Sequence, residues 1–532
     1  MNIEQPRRNQ KEPAALRPED QLTSGPQADS LPHESVLPQL VNLLLALLSA
    51  ALLILTFPRF QVTWFAPVAL APLLVAVSRE TRPWRRFVLG WAAGTAFWFG
   101  VCYWIQYTLS FYGGVGELVG WILLLLFAVT KGLHLAVFAL LAGILMRRWW
   151  AVPAVSALWV AIEATHGSLG FAWLALGNAG IAMGVPLRLA PITGVWGLSF
   201  IFMMMATALA LALLRRPRLE LLWLLVLPFL GFLPPMPPAL RGQDSAILLQ
   251  PNVSESQQWT QESVHRIEQQ LAALTERSAL IESSRPPAIA VWPEIPAPFY
   301  YYDDSRYREE MDDLARATHA YLLIGDVSHD PDGRLFNSAT LISPQGVPVS
   351  RYDKVNLVPF GEFVPWPFGF ANKISTEVGD FSPGHQVVVS PVGSHKVGTF
   401  ICYESVFPNF VRRFARGGAE VLFNISNDGW FGNSSARQQH LTIVRMRAAE
   451  NRRWILRSTN DGITGTIDPA GRVRGTLPLY TQATSYTGFN YIADQTFYTR
   501  HGDWFPWLCG LVAVGCLVAE WKLGRSAGLQ KS

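Results

Sequence analysis

Seven apolar runs crowd into the first part of this chain, at roughly 40–57, 62–77, 87–107, 118–145, 150–164, 193–214 and 219–233, and an eighth follows near 505–521. The hydrocarbon core of a bilayer is about 30 Å thick and takes about 20 apolar residues of helix to cross. By that measure the 87–107, 118–145 and 193–214 runs are long enough, while the 62–77 and 219–233 runs are short. Charged residues are only 15% of the chain and hydrophobic residues 50%, against about 25% charged in soluble domains. The pattern predicts a multi-pass α-helical membrane domain with eight spans.

Basic residues give that domain a direction, because Lys and Arg beside a span are retained on the cytoplasmic face. Arg79, Arg82, Arg85 and Arg86 separate the second and third runs, Arg147 and Arg148 the fourth and fifth, and Arg215, Arg216 and Arg218 the sixth and seventh; Lys522 and Arg525 follow the eighth. All four clusters share one side only with eight spans and both termini in the cytoplasm. Residues 240–500 are then outside it. The divisions expected are a disordered cytoplasmic tail over 1–37, seven transmembrane helices over 38–239, a soluble domain over 240–500, and an eighth helix with a short tail over 501–532. The N-terminal stretch lacks the basic start and cleavage site of a secretory signal peptide, so the first apolar segment is expected to stay in the mature protein. A net charge of +4 in scattered clusters makes no phosphate-tracking face, so nucleic acid is not an expected partner.

The Pro-rich stretch Pro234–Pro238 marks entry into the soluble domain. Ala246–Gln250, Ala288–Trp292, Tyr321–Gly325, Val397–Cys402, Val421–Ile425 and Trp454–Ser458 read as buried strands. Val264 to Leu274 and Phe407 to Phe414 have helical spacing, the latter stopping at Gly417. Ser343–Gly346 and Asp468–Gly471 read as hairpin turns. The domain is therefore α/β.

Three polar residues stand at the downstream ends of apolar segments: Glu294 in Val-Trp-Pro-Glu, Lys354 in Tyr-Asp-Lys-Val-Asn, and Cys402 in Phe-Ile-Cys-Tyr-Glu. Active sites of α/β domains collect at strand ends. A thiol becomes nucleophilic when a base or cation favours its thiolate, so Glu294 can serve as base and Lys354 as stabiliser of thiolate and oxyanion. The bland alternatives are a buried small hydrophobe, a helix-capping Glu and a solvated Lys. Of the four cysteines, Cys102, Cys509 and Cys516 lie in apolar runs. Cys402 alone is in soluble-looking sequence, in an exported domain where an unpaired thiol calls for a reason. No cysteine or histidine spacing suggests a metal site, and no cofactor is indicated. His440 and His385 show no Ser or Asp constellation that would make them partners of a nucleophile. Lys131, His134 and Glu163 fall within or at the ends of apolar runs, where a lipid contact, snorkelling or a buried pair all remain open.

The order Glu294, Lys354, Cys402, with Tyr352-Asp353-Lys354 and Cys402-Tyr403-Glu404, resembles the nitrilase or carbon–nitrogen hydrolase superfamily. Gln250-Pro251-Asn252, Val358-Pro359-Phe360-Gly361-Glu362, Trp430-Phe431-Gly432 and Arg457-Ser458-Thr459-Asn460, framed by seven apolar runs before and one after, narrow the resemblance to its membrane-embedded branch, the apolipoprotein N-acyltransferase family. The resemblance implies an α-β-β-α sandwich on the periplasmic side of a bacterial inner membrane, with a Glu294/Lys354/Cys402 triad. It implies transfer of an acyl chain from a phospholipid, phosphatidylethanolamine being the expected donor, through a Cys402 thioester to the α-amine of a diacylated apolipoprotein, by a monomeric enzyme. It also implies a second glutamate at Glu362, Tyr403 and Glu404 beside the nucleophile, and an entrance aromatic at Trp259. Two rival readings remain: a membrane-tethered amidase with water as acceptor, and a transporter with a soluble binding domain.

Overall fold

A backbone in hydrocarbon must satisfy its own N–H and C=O groups, and each of the eight apolar runs is helical in the computed structural model, which describes residues 36–168, 171–216, 218–239, 241–281, 288–363 and 381–529. The tail expected over 1–37 lies outside them up to Val36, where the first helix begins. Among the described residues, four helices are long and apolar enough to cross a membrane: Leu37–Thr56, Glu117–Leu145, Val195–Leu213 and Trp504–Leu523. Pro83–Val101 and Trp104–Tyr112 form a bent pair, turned by 57°, that passes as a fifth if taken as one span. The 62–77 run is not one helix: Pro67 interrupts it, leaving a single 3-10 turn at Thr63–Phe65 and the nine-residue helix Ala71–Arg79, whose first turn accommodates Pro72. Ala151–His166 and Leu219–Phe232 are also short. Small residues let the Pro83–Val101 and Glu117–Leu145 helices meet, for a Cβ added to Gly94 would lie 2.8 Å from the Gly132 backbone.

The strands between the bundle and its last helix are β1 (Asp244–Gln250), β2 (Ile289–Val291), β3 (Tyr321–His329), β4 (Leu335–Ile342), β5 (Pro348–Asp353), β6 (Val389–Val392), β7 (His395–Ile401), β8 (Val421–Ser426), β9 (Ile455–Thr459), β10 (Gly465–Ile467), β11 (Val473–Arg474) and β12 (Ala483–Phe489). They form two six-stranded sheets, ordered β12-β1-β2-β3-β4-β5 and β11-β10-β9-β8-β7-β6. Alternation of side chains along each strand gives every sheet two apolar faces. Leu248, Val291 and Leu323 meet Phe400, Phe423 and Leu456 between the sheets. On the outside of the first sheet, Ile247, Trp292 and Ile324 pack on Leu271 and Met311 of helices Gln261–Ile281 and Ser305–Thr318. Phe414 of Pro408–Arg416 and Val444 of Ala436–Asn451 cover the second. The layers are α-β-β-α, as expected. β1–β3 run parallel, as do β7–β9, so the ends of β2, β7 and β8 present Glu294, Cys402 and Asn427 from neighbouring loops. The helix at 408–416 is capped by Gly417 in a right-handed conformation, and the positive φ falls one residue later, at Gly418.

The Ala436–Asn451 helix has no solvent face to speak of. Val444 and Ala448 join the sandwich core, while Ala436, Ile443, Met446 and Ala449 join the core of the helical bundle. Its polar residues are spent on the same junction. The buried Gln439 amide donates to the carbonyls of Pro58 and Val101 and accepts from the indoles of Trp173 and Trp104. Glu450 accepts from the backbone N–H of Val195, supplying a carboxylate to the N-terminus of the Val195–Leu213 helix.

Candidate active site

Glu294 and Lys354 come from the first sheet, just past β2 and β5 with β3 and β4 between them, and Cys402 from the end of β7 in the second. All three are buried. Lys354 Nζ donates to Glu294 Oε1 at 2.9 Å and to Glu362 Oε1 at 2.8 Å. Asn337, on β4, spans the same two oxygens through Nδ2 at 2.8 Å each. The other oxygens are held by backbone: Glu294 Oε2 accepts from Asn427 N–H and Glu362 Oε2 from Val358 N–H, each at 2.8 Å. Two carboxylates share one ammonium and one amide nitrogen, and each of their four oxygens accepts at least one hydrogen bond.

The charges decide what each group can do. Burial alone would lower the Lys354 pKa, but Glu294, Glu362 and Cys402 hold it well above its ordinary value, so the ammonium stays charged. The Cys402 thiol is pushed up, first by burial and then by the Glu294 charge, against the opposing pull of Lys354. A resting thiol is therefore protonated, and its activation requires a base. This suits a mechanism in which the proton leaves as the S–C bond forms, not one with a standing thiolate.

Cys402 has a left-handed backbone, with a φ of 49°, and opens a one-turn 3-10 helix, Cys402–Val406. Such a conformation costs a non-glycine residue about 1–3 kcal/mol and persists only where neighbours over-determine it. Three other non-glycine residues with positive φ, Asn252, Ile295 and Phe360, sit in loops that carry hydrogen-bonding groups of this region. Ile295 follows Glu294, and Phe360 precedes Glu362 by two residues. Glu404 fastens the cysteine turn from one side: its Oε2 accepts from Ile401 N–H at 2.8 Å, and its Oε1 from Val355 N–H at 2.8 Å and Asn356 N–H at 3.1 Å. Tyr352 donates its hydroxyl to the same carboxylate. Glu404 thus ties the turn bearing Cys402 to the turn bearing Lys354 without touching either side chain.

The remaining expectations separate. Tyr403 leaves the sandwich altogether: it belongs to the bundle core and stacks on Phe171 with ring centroids 5.6 Å apart. Trp259 is exposed on the 251–260 segment, and among the described residues no hydrogen bond or ring contact ties it to the cluster. That segment instead supplies Glu255, which accepts from Asn427 and Asn460 side chains and which burial pushes up to about 7. Asn337, Asn427 and Glu255 carry no signal in a single sequence: Asn337 lies within β4, Asn427 follows β8 as a turn residue would, and Glu255 stands in a polar loop. His440 corrects the sequence reading. It contacts Asp428 on one ring nitrogen and Ser405 on the other, residues that folding, not local spacing, brings to it. Within the bundle, Lys131 is buried with its ammonium 5.1 Å from the centre of the Trp98 ring, and Glu163 accepts the N–H of Leu176. On the outer surface of the sandwich, His265, Glu268 and Glu310 approach one another closely enough to hold a cation, but Arg306 already donates to both carboxylates.

Comparison with known proteins agrees with both halves of the fold. Residues 49–208 match the apolipoprotein N-acyltransferase N-terminal domain, and residues 252–490 match the carbon-nitrogen hydrolase family. The fold of an amidase from Nesterenkonia sp. overlays 49% of this chain and 94% of its own, with a TM-score of 0.36 at 18% identity. The apolipoprotein N-acyltransferase of Pseudomonas putida is 32% identical over 91% of this chain and 97% of its own. That of Geobacter metallireducens is 34% identical over 94% and 98% respectively. With a relative of that identity aligned along nearly its full length, the chain belongs to the apolipoprotein N-acyltransferase family.

Proposed function

We propose that this enzyme moves an acyl chain from a phospholipid to the α-amine of a diacylated apolipoprotein by way of Cys402, with Glu294 as base and Lys354 as oxyanion partner. In the first half-reaction Glu294 accepts the Sγ proton while sulfur attacks the ester carbonyl. Lys354 stabilises the tetrahedral oxyanion, the ester C–O bond breaks, and Glu294 returns the proton to the departing lysophospholipid. In the second, the amine attacks the thioester, N–C forms as S–C breaks, and the amine's proton passes through Glu294 to sulfur. Glu362 and Asn337 hold Lys354 and Glu294 in register, Glu404 holds the nucleophile's turn, and Trp259 lies at the entrance.

The observation that carries this reading is the position of the nucleophile at a boundary. Cys402 packs in the sandwich core and the next residue, Tyr403, in the core of the bundle. A lipid ester can meet such a thiol without its chains leaving apolar surroundings, which a water-soluble amide would not require. Purified protein given phosphatidylethanolamine and a diacylated lipopeptide yields N-acylated lipopeptide by mass spectrometry. Release of free fatty acid without N-acylation would make it a hydrolase and overturn the assignment. A faster reaction with phosphatidylglycerol would remove phosphatidylethanolamine as the preferred donor.

The topology that supports this chemistry has a cytoplasmic tail over 1–37, seven spans over 38–239, the catalytic domain over 240–500 in the periplasm, and an eighth span and tail over 501–532, in a monomer at the inner membrane. The short helices then cross only together with the turns that adjoin them, whose backbone is shielded by the bundle, and the Arg clusters stay cytoplasmic. Ser394→Cys, in the exposed turn between β6 and β7, is labelled by a membrane-impermeant maleimide once the outer membrane is permeable. Arg216→Cys is labelled only after the inner membrane is broken. The opposite pattern reverses the orientation.

A further inference from the structure

Behind the nucleophile lies a buried polar chain that the acyl-transfer scheme does not use. His440, on the Ala436–Asn451 helix, is fully buried. Its Nε2 is 3.1 Å from the carbonyl oxygen of Cys402 and 2.9 Å from Ser405 Oγ, and its Nδ1 is 2.9 Å from Asp428 Oδ1. A carbonyl oxygen can only accept, so the proton between His440 and Cys402 belongs to Nε2. Asp428 is anchored in turn: Arg457 Nη2 donates to Oδ2 at 2.6 Å and Ser426 Oγ to Oδ1 at 2.9 Å, while Arg457 also lies 3.2 Å from His440 Nδ1. Although burial favours its neutral form, Arg457 and His440 hold the Asp428 carboxyl well below the usual carboxylate range. Nδ1 faces both the Asp428 carboxylate and the Arg457 guanidinium, which hold the ring so that Nε2 carries its proton toward Cys402.

The target of that donation is the peptide carbonyl of the one left-handed residue that bears the thiol. Glu404 fixes the chain entering this turn, through the N–H of Ile401. His440 fixes the chain leaving it. The two contacts together restrain φ and ψ on either side of the Cys402 Cα, which sets where Sγ lies relative to Glu294 and Lys354. We infer that His440, steered by Asp428, is a positioning residue for the nucleophile, its Nε2–H holding the Cys402 carbonyl and thereby the strained turn. The inference rests on Cys402 being the nucleophile. It adds a residue on the far side of that turn that never touches the lipid.

Two amide replacements separate positioning from simple filling of space. A glutamine at 440 can place its N–H where Nε2 stands, whereas an asparagine reaches only the position of Nδ1. The full chain in phosphatidylethanolamine vesicles is followed by rapid quench for acyl-Cys402, and by iodoacetamide for alkylation of the same thiol. His440→Asn is expected to acylate about a hundredfold more slowly with KM for phospholipid unchanged, the scale of loss for a misplaced reacting group. His440→Gln is expected to stay within about tenfold of the parent. Asp428→Asn should slow acylation as well, and adding it to His440→Asn should cost nothing further, as for two members of one relay. Equal rates for the Gln and Asn variants, parent rates in either Asn variant, or a change confined to KM overturns the inference. If one His440 variant fails to fold, the rate of Asp428→Asn decides alone. Cys402→Ala run alongside distinguishes the two levels: continued turnover removes the nucleophile and this inference with it, whereas a dead Cys402→Ala beside unaffected His440 variants removes the inference only.

Discussion

Phospholipid alone adds the mass of one acyl chain to Cys402, an adduct that neutral hydroxylamine cleaves and a diacylated lipopeptide discharges. The expectation follows from the buried, protonated thiol beside a carboxylate and an ammonium. Such a site can park an acyl group, so that donor and acceptor need not be present together, and initial rates then follow ping-pong kinetics. Cys402→Ala loses both adduct and turnover. The loss is on the order of 10⁶-fold, the scale seen when a covalent catalyst is stripped of its nucleophile. Cys402→Ser keeps a trace at most, because a hydroxyl is the weaker nucleophile. A folded Cys402→Ala protein that still transfers acyl chains would refute the thioester route, as would lipopeptide acylation that outruns formation of the adduct.

Lys354→Met has the second largest effect, because it removes two functions at once. The oxyanion loses its cation, a change worth about 10²–10³ in rate for a single donor. Glu294 and Glu362 are left facing each other across Asn337 with no counter-charge. Like charges in such a position repel, and Glu294, having lost the Nζ contact on Oε1, is no longer held in place as a base. Loss of general base catalysis adds about 10² or more, so the combined fall is about 10⁴-fold or greater. Lys354→Arg restores the charge but replaces a compact ammonium with a planar fork, in a pocket where Nζ sits within 2.9 Å of two carboxylates, and recovers little. The single-turnover rate of acyl-Cys402 formation, measured on protein with an unchanged thermal midpoint, reads both effects. A Lys354→Met rate within tenfold of the parent would exclude Lys354 from the chemistry.

Sequence made the axis of this site visible and left its supports hidden. Glu294 and Cys402 each follow an apolar segment, so their position at strand ends is written into local pattern, and the six strands read from such segments are all present; Lys354 follows β5, whose Pro-Val-Ser-Arg-Tyr-Asp sequence is too polar to be read that way. Pairing order is not local: nothing in the 483–489 stretch announces that β12 closes the first sheet beside β1. The same limit hides the supports. Asn337 reaches the cluster because β4 lies beside β3 and β5, and His440 meets Ser405 because a helix crosses the end of a sheet. The 62–77 run misleads for a different reason. Hydrophobic content there is real, but Pro67 divides it, and a nine-residue helix is too short to cross about 30 Å at about 1.5 Å per residue.

The antiparallel pairing of β1 with β12 sets Asp244 opposite Phe489, so the chain enters and leaves the catalytic domain at two points about 5 Å apart. The last helix, Trp504–Leu529, must return to partners made hundreds of residues earlier: Glu520 meets Arg148 at 2.5 Å, and the Trp504 indole donates to Ile192. Were the intervening roughly 260 residues an unfolded tether, bringing its ends together would cost about 5 kcal/mol of chain entropy beyond a constant. Once folded, the domain is a bracket with adjacent feet, and that penalty has already been absorbed in forming the sheet. The last helix is thereby returned to the bundle at a lower entropic cost than a tether would impose. A chain whose sandwich domain has not folded holds its final helix only on a long tether, so the stability of the helical bundle is coupled to the folding of the sandwich.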